Sequence, residues 1–337
     1  MPGWYGVSQQ SSSMRRSTLV AVLGALLAAG CGGDRTDAAT RFVAIDSATS
    51  LEIVDWGGHG VPIVFLAGLG HTAHVFDEIA PRLNDSHRVL GITRRGFGAS
   101  SQPDSGYDVP TLAEDIRTVL DSLDIDRAIL AGHSLGGDEM TECARGHPDR
   151  IAALIYIDAA YNRVMSRDSM ARYAAPASEV SPPTAADSAS ATAFRSYYAR
   201  ANGVTMPVSE IVAMNRWTPD GRLIGGVTPM WIYDRIVESL EGPDYSGLDV
   251  PALAIYGTDY PVTELFLDYD RRDSVTQAAM RTYHEASLRV AALSREYFRG
   301  HMPQGRVVEI RGAGHSLYIT HQQETLAAIR RFLADVR

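Results

Sequence analysis

Cysteine is nearly absent from this chain: among 337 residues only Cys31 and Cys143 carry a thiol. One lies just behind an apolar N-terminal stretch and the other inside a helical pattern, which argues against a disulfide between them. Two thiols also cannot build a zinc pattern or a disulfide framework. An excess of basic charge is missing as well. With a formal net charge of -9 and no Lys/Arg cluster interleaved with aromatics, the chain lacks the electrostatic footprint of a nucleic-acid binder. Apolar material is plentiful instead. At 45% hydrophobic residues the chain can bury a substantial core, and its length suits one main domain with an insertion.

The apolar stretch from Leu19 to Ala29, about eleven residues, is too short to span a bilayer comfortably. Placed behind Arg15-Arg16, it has the form of an export signal. Its end, Leu27-Ala28-Ala29-Gly30-Cys31, resembles a bacterial lipobox with Ala28 where leucine is usual, and that resemblance implies lipidation of Cys31. The expectation is a signal over 1–31, a tether over 32–40 and a protein anchored by lipid to the bacterial cell envelope. Simple secretion to the periplasm or beyond, and an uncleaved anchor, are the alternatives. The residues before Met14 are unusual for a signal, which leaves Met14 as a second candidate start.

The most informative segment is Gly132-His133-Ser134-Leu135-Gly136. The apolar Arg127-Ala128-Ile129-Leu130-Ala131 before it reads as a strand buried on both faces. The helix formers after it, Glu139 to Arg145, end at Gly146 with Pro148 beyond. A serine between strand and helix must adopt a strained backbone, and glycines two positions either side remove the Cβ atoms that would clash. Such a turn is a nucleophile elbow, which projects the hydroxyl and frees the Leu135 amide to face a developing oxyanion. The alternative is a glycine-rich turn whose serine merely caps the helix.

Around the elbow, strands and helices alternate. Arg41–Ala44 and Leu51–Val54 read as strands, with Gly57 to Gly60 closing their hairpin or a loop. Pro62–Leu66, Arg88–Thr93, the elbow strand and Ile151–Ile157 follow, with helical stretches near Val75 to Leu83 and from Thr111 to about Leu123. Thr111-Leu112-Ala113-Glu114 matches a capping box. This alternation predicts an α/β fold with a mostly parallel, doubly wound sheet. The rhythm breaks over 161–248, where Ala/Ser/Pro-rich loops and helical pieces such as Ser209–Trp217 and Trp231–Leu240 predict a helical cap inserted after the sixth strand. It resumes with Leu253–Tyr256, Val307–Ile310 and a last helix from about Gln322 to Val336, so that 41–160 and 249–337 form the core.

Four local patterns now stand in order: Ala67-Gly68-Leu69-Gly70, Arg95-Gly96-Phe97-Gly98-Ala99-Ser100, the elbow, and Gly312-Ala313-Gly314-His315. Together they make the chain resemble the α/β-hydrolase superfamily from Arg41 to Arg337. The resemblance implies a Ser-acid-His triad on loops at the carboxyl ends of the strands. Ser134 would be the nucleophile and His315 the base, with backbone oxyanion donors at Leu69 and Leu135. For the acid the resemblance points first to Asp259, after the strand at Leu253–Tyr256. However, Asp259 is two residues after Gly257 where three is usual, and its distance from His315 implies an extra helical insertion around Asp270–Arg299. Asp158 is the other candidate. The chain departs from the family's usual form at Ala67, where histidine is common, and at Thr93, where aspartate is common. It also lacks the HGGG form.

A serine at position 134 argues against the aspartate-nucleophile epoxide hydrolases and dehalogenases and for acyl-enzyme chemistry. The expectation is hydrolysis of a carboxylic ester or related acyl bond in a small molecule, with no cofactor and no metal. His71 and His74 lie three apart near the oxyanion loop but have no third ligand in sight. Tyr161, Tyr197, Tyr198, Trp217 and Trp231 either wall a pocket or pack the cap onto the core. Carbon-carbon bond hydrolysis, a cofactor-free peroxidase activity on the same triad, and a non-catalytic binding lipoprotein are the competing functions. The oligomeric state is left open.

Overall fold

The computed structural model describes residues 38–336, so the expected signal, Cys31 and most of the tether lie outside the described residues. Within them, no helix is long and apolar enough to cross a membrane. The described residues open with an antiparallel pair, β1 (Ala39–Ala44) and β2 (Ser50–Asp55), turned by 45–49, so the loop Gly57 to Gly60 leads on to β3 (Ile63–Leu66) instead of closing the hairpin. Short apolar strands then recur: β4 (Val89–Ile92), β5 (Ala128–His133) and β6 (Ile151–Ile157). Between them run α1 (Val109–Ser122) and α2 (Leu135–Gly146). The Asp108 carboxylate, not Thr111, caps α1 by accepting the Thr111 amide at 3.0 Å. The helical stretch expected near Val75 to Leu83 is two 3-10 turns, Ala73–Phe76 and Ala80–Leu83.

The insertion follows β6. It holds α3 (Arg163–Met170), α4 (Ala191–Asn202), α5 (Val208–Ala213), the hairpin β7 (Asn215–Trp217) and β8 (Leu223–Gly226), and α6 (Met230–Glu238). The hairpin cuts short the helix expected to run to Trp217, since its strands pair only with each other. The core resumes at β9 (Ala252–Thr258), followed by α7 (Val262–Leu265), the long α8 (Ser274–His301), β10 (Gly305–Arg311), α9 (Leu317–Thr320) and α10 (Gln322–Asp335). The extra helical insertion before His315 is α8. It packs back toward the insertion, where Met280 and Tyr283 meet Met170 and Tyr173.

Eight strands form one sheet in the order β1-β2-β4-β3-β5-β6-β9-β10, parallel from β4 to β10 and antiparallel at the β1 and β2 end. Alternate side chains go to opposite faces, and both faces are covered. Ile63, Phe65, Ile129 and Ile255 join one buried cluster, while Val64, Leu66, Leu130 and Tyr256 join the other. This is the doubly wound α/β-hydrolase fold. Its order reverses between β3, which the chain leaves for β4 on one side, and β5, which it leaves for β6 on the other. Loops leaving two adjacent strands there diverge and open a crevice at their carboxyl ends.

Candidate active site

At that crevice β5 ends in the elbow. Ser134 has φ 50° and ψ -114°, a left-handed strain that a non-glycine residue adopts only when its surroundings hold it there. The flanking glycines explain how. A Cβ on Gly132 would lie 2.5 Å from the Gly136 carbonyl, and one on Gly136 would lie 2.4 Å from the Leu66 oxygen, so strand and helix converge at backbone contact. Leu135 opens α2, where an amide has no carbonyl one turn back to bond.

His315 comes from the loop after β10 and meets an acid at the end of β6. Its Nδ1 lies 2.6 Å from Asp158 Oδ2. Asp158 itself has φ 47° and is buried, and its other oxygen accepts the Gly257 amide at 3.1 Å and the Tyr161 hydroxyl at 2.8 Å. Because β9 separates β6 from β10, the histidine loop must fold across the end of β9. It does so over Gly257, where a Cβ would lie 2.3 Å from the Ala313 carbonyl oxygen. Asp259, the first acid candidate from sequence, is carried past this crossing. Its side chain is 68% exposed and sits 3.6 Å from Arg311, so the structure brings Asp158 and not Asp259 to His315.

The elbow histidine ties this loop to the serine. His133 Nε2 donates to the His315 carbonyl at 3.0 Å, and the two rings lie 4.6 Å apart. Burial, and then the neighbouring His315, push the His133 imidazole well below its ordinary value, so it remains neutral. Opposite, Gly68 brings the loop after β3 against the elbow, since a Cβ there would lie 3.2 Å from the Ser134 Cβ. The His71 amide donates to the Gly68 carbonyl at 3.2 Å, closing a turn around Leu69 and Gly70, with Gly70 at φ 92°. Ser134, Leu135, Leu69, Asp158 and His315 thus converge on the carboxyl ends of β3, β5, β6 and β10.

The profile of the alpha/beta hydrolase fold matches residues 61–202, which run from β3 through the elbow into the insertion. The solved structure of E-2-(acetamidomethylene)succinate hydrolase superposes with a TM-score of 0.63 at 22% identity, covering 88% of this chain and 100% of that one. The chain has the α/β-hydrolase fold, and residues 61–202 match the family that carries it. Among its relatives, the esterase YbfF of Escherichia coli (strain K12) is 28% identical over 276 residues, 81% of this chain and 93% of that protein. A non-heme chloroperoxidase of Streptomyces lividans is 35% identical over 120 residues, 35% of this chain and 44% of that protein. The first curated relatives are matched over 37%, 44% and 31% of their lengths, so this chain spans less than half of each.

Several residues that support this candidate site escaped sequence reasoning. Arg94 donates Nη2 to the Ala67 carbonyl at 2.6 Å and Nη1 to the Gly68 carbonyl at 3.3 Å, and pairs with the buried Glu139. Tyr161 donates its hydroxyl to Asp158. Burial, together with the adjacent Asp158, pushes its phenol well above the ordinary value, so it stays a donor. The other aromatics mostly pack. Tyr198 is in the main core cluster, Trp217 Nε1 donates to the Val212 carbonyl, and Trp231 sits edge-on to Tyr107. His71 and His74 hold carboxylates: His71 Nδ1 lies 2.9 Å from Glu210, and His74 lies between Asp77 and Glu52. Among the described residues no cluster of side chains suits a metal.

Proposed function

We propose that this protein is a serine hydrolase that cleaves a carboxylic ester or related acyl bond through an acyl-enzyme. The observation that carries the reading is the 2.6 Å contact between Asp158 and His315 beside a strained elbow serine. A carboxylate oxygen can only accept, so Nδ1 of His315 bears the proton and Nε2 keeps its lone pair for the Ser134 hydroxyl. Ser134 Oγ attacks the acyl carbon while His315 takes its proton. The Leu69 and Leu135 amides receive the oxyanion, and His315 then protonates the leaving group. Water enters by the same steps in reverse. Asp158 orients the imidazole and stabilises its charged form, without itself taking a proton. The chemistry asks for no cofactor or metal.

The test is turnover of a short-chain p-nitrophenyl ester. Ser134→Ala abolishes it, and His315→Ala in that background adds little further loss because the two act as one unit. Full ester turnover by purified Ser134→Ala overturns the reading. The identity with the chloroperoxidase favours a second activity on the same triad, a cofactor-free peroxidase. Assays with hydrogen peroxide and halide, run beside ester and carbon-carbon substrates, separate these reactions. Export with lipidation at Cys31 completes the proposal on sequence grounds alone. Its check is release of the protein from the membrane fraction in Cys31→Ser.

A further inference from the structure

The insertion reaches the loop after β3 through one buried carboxylate. Glu210 lies in α5 and is 0% exposed. Its Oε1 faces His71 Nδ1 at 2.9 Å and accepts the Thr72 amide at 3.1 Å, while Oε2 accepts the Thr72 hydroxyl. Burying a carboxylate costs several kcal/mol unless it is hydrogen-bonded, and here three donors, all from two consecutive residues, meet that need. Its neighbour Ser209 donates to Asp77, so α5 is fastened twice to the same stretch of the core.

Those two residues are placed to control one peptide plane. The His71 amide closes the turn onto the Gly68 carbonyl at 3.2 Å. That carbonyl belongs to the same peptide group as the Leu69 amide, so fixing one fixes the aim of the other. Arg94 grips the carbonyl from the core side at 3.3 Å, and Glu210 grips His71 and Thr72 from the insertion side. Gly70, the remaining turn residue, is backed by Tyr233 of α6, 3.6 Å from where its Cβ would stand.

We propose that Glu210 is a positioning residue of the oxyanion hole: it makes the aim of the Leu69 amide depend on the insertion being docked over the core. The proposal rests on the acyl-transfer reading above. Glu210 contacts His71 and Thr72, not the triad, so its effect on the reaction passes through the loop.

The experiment compares wild type, Glu210→Gln and Glu210→Ala in the full chain, with active serines titrated by a fluorophosphonate so that misfolded protein drops out. Measured are kcat and KM on the p-nitrophenyl ester and inhibition by a trifluoromethyl ketone, whose serine adduct places an oxyanion in the hole. Glu210→Gln keeps the volume and one acceptor. The expected result is a kcat per active serine about tenfold lower, part of the 10²- to 10³-fold attached to a whole donor, with KM within about twofold. Inhibition by the ketone weakens by the same factor as kcat/KM. Glu210→Ala loses more. An unchanged kcat per active serine in Glu210→Gln overturns the proposal, since a latch serving only stability leaves it unmoved. So does a loss confined to KM. Wild-type turnover in a parallel Ser134→Ala sample identifies failure of the acyl-transfer reading instead.

Discussion

The Asp158 carboxylate and the His315 imidazole meet at 2.6 Å across the end of a strand that belongs to neither. Asp158 leaves β6, His315 follows β10, and β9 runs between them with Gly257 as the crossing point. The contact therefore predicts which acid matters. Asp158→Asn retains the shape but makes the partner an amide that favours the wrong imidazole tautomer, at a cost of about 10⁴-fold in kcat. Asp259→Asn alters an exposed side chain beside Arg311 and leaves kcat within about twofold. Ester kinetics on both variants check this, and equal losses would remove Asp158 from the triad.

The crossing makes its own prediction. Gly257→Ala places a methyl group 2.3 Å from the Ala313 oxygen, a backbone atom that cannot swing aside. The strain destabilises the protein by about 1–3 kcal/mol and lifts the histidine loop from Asp158. Urea unfolding reads the first effect. The rate of fluorophosphonate labelling in fully folded protein reads the second, and both should fall together.

Why the aspartate that meets His315 was harder to read than the elbow follows from where each is specified. The elbow is local: strand, strained serine, two glycines and helix are contiguous, so Ser134 is legible from five residues. The parallel order of β3 to β6 is nearly as local, because each short apolar strand is followed by its own turn. His315 is fixed by a glycine loop behind the last strand. Asp158 and Asp259 each end a strand, and both have positive φ. Only the path of the histidine loop over Gly257 separates them, and α8 between β9 and β10 hides that path from the sequence. Glu210 was hidden for another reason. In Val208-Ser209-Glu210-Ile211-Val212 it has the form of an ordinary helical surface glutamate, and its burial depends on residues more than a hundred positions away. The hairpin β7-β8 is short, glycine-bearing and peripheral, which leaves almost no periodicity to detect.

His74 supplies a pH signature. Burial alone would lower its imidazole, but hydrogen bonds and charge from Asp77 and Glu52 outweigh that and raise it to about 10. A group raised on folding stabilises the native state in full below its unfolded value, near 6.5, and that contribution is lost as pH climbs through the folded value. The difference in unfolding free energy between wild type and His74→Gln is therefore largest near pH 6 and shrinks steadily toward pH 10. A difference that is flat over this range would show that the imidazole acts only by packing.

Arg94 offers the sharpest separation of stability from positioning. Its guanidinium and the Glu139 carboxylate are about equally buried, at 5% and 4% side-chain exposure. Arg94→Met alone strands the Glu139 charge and costs about 3–5 kcal/mol. Adding Glu139→Leu removes the stranded charge, and a buried ion pair replaced by well-packed apolar groups typically recovers the loss. Stability of the double variant therefore returns to within about 1 kcal/mol of wild type. Activity does not return with it, because the Ala67 carbonyl has lost its Arg94 donor and the Gly68 carbonyl keeps only the His71 amide, so the Leu69 peptide is held from one side alone. The expected outcome is a double variant with near-native unfolding and kcat/KM reduced about tenfold or more. A stable double variant with wild-type kcat/KM would leave Arg94 as a partner for Glu139 and nothing else.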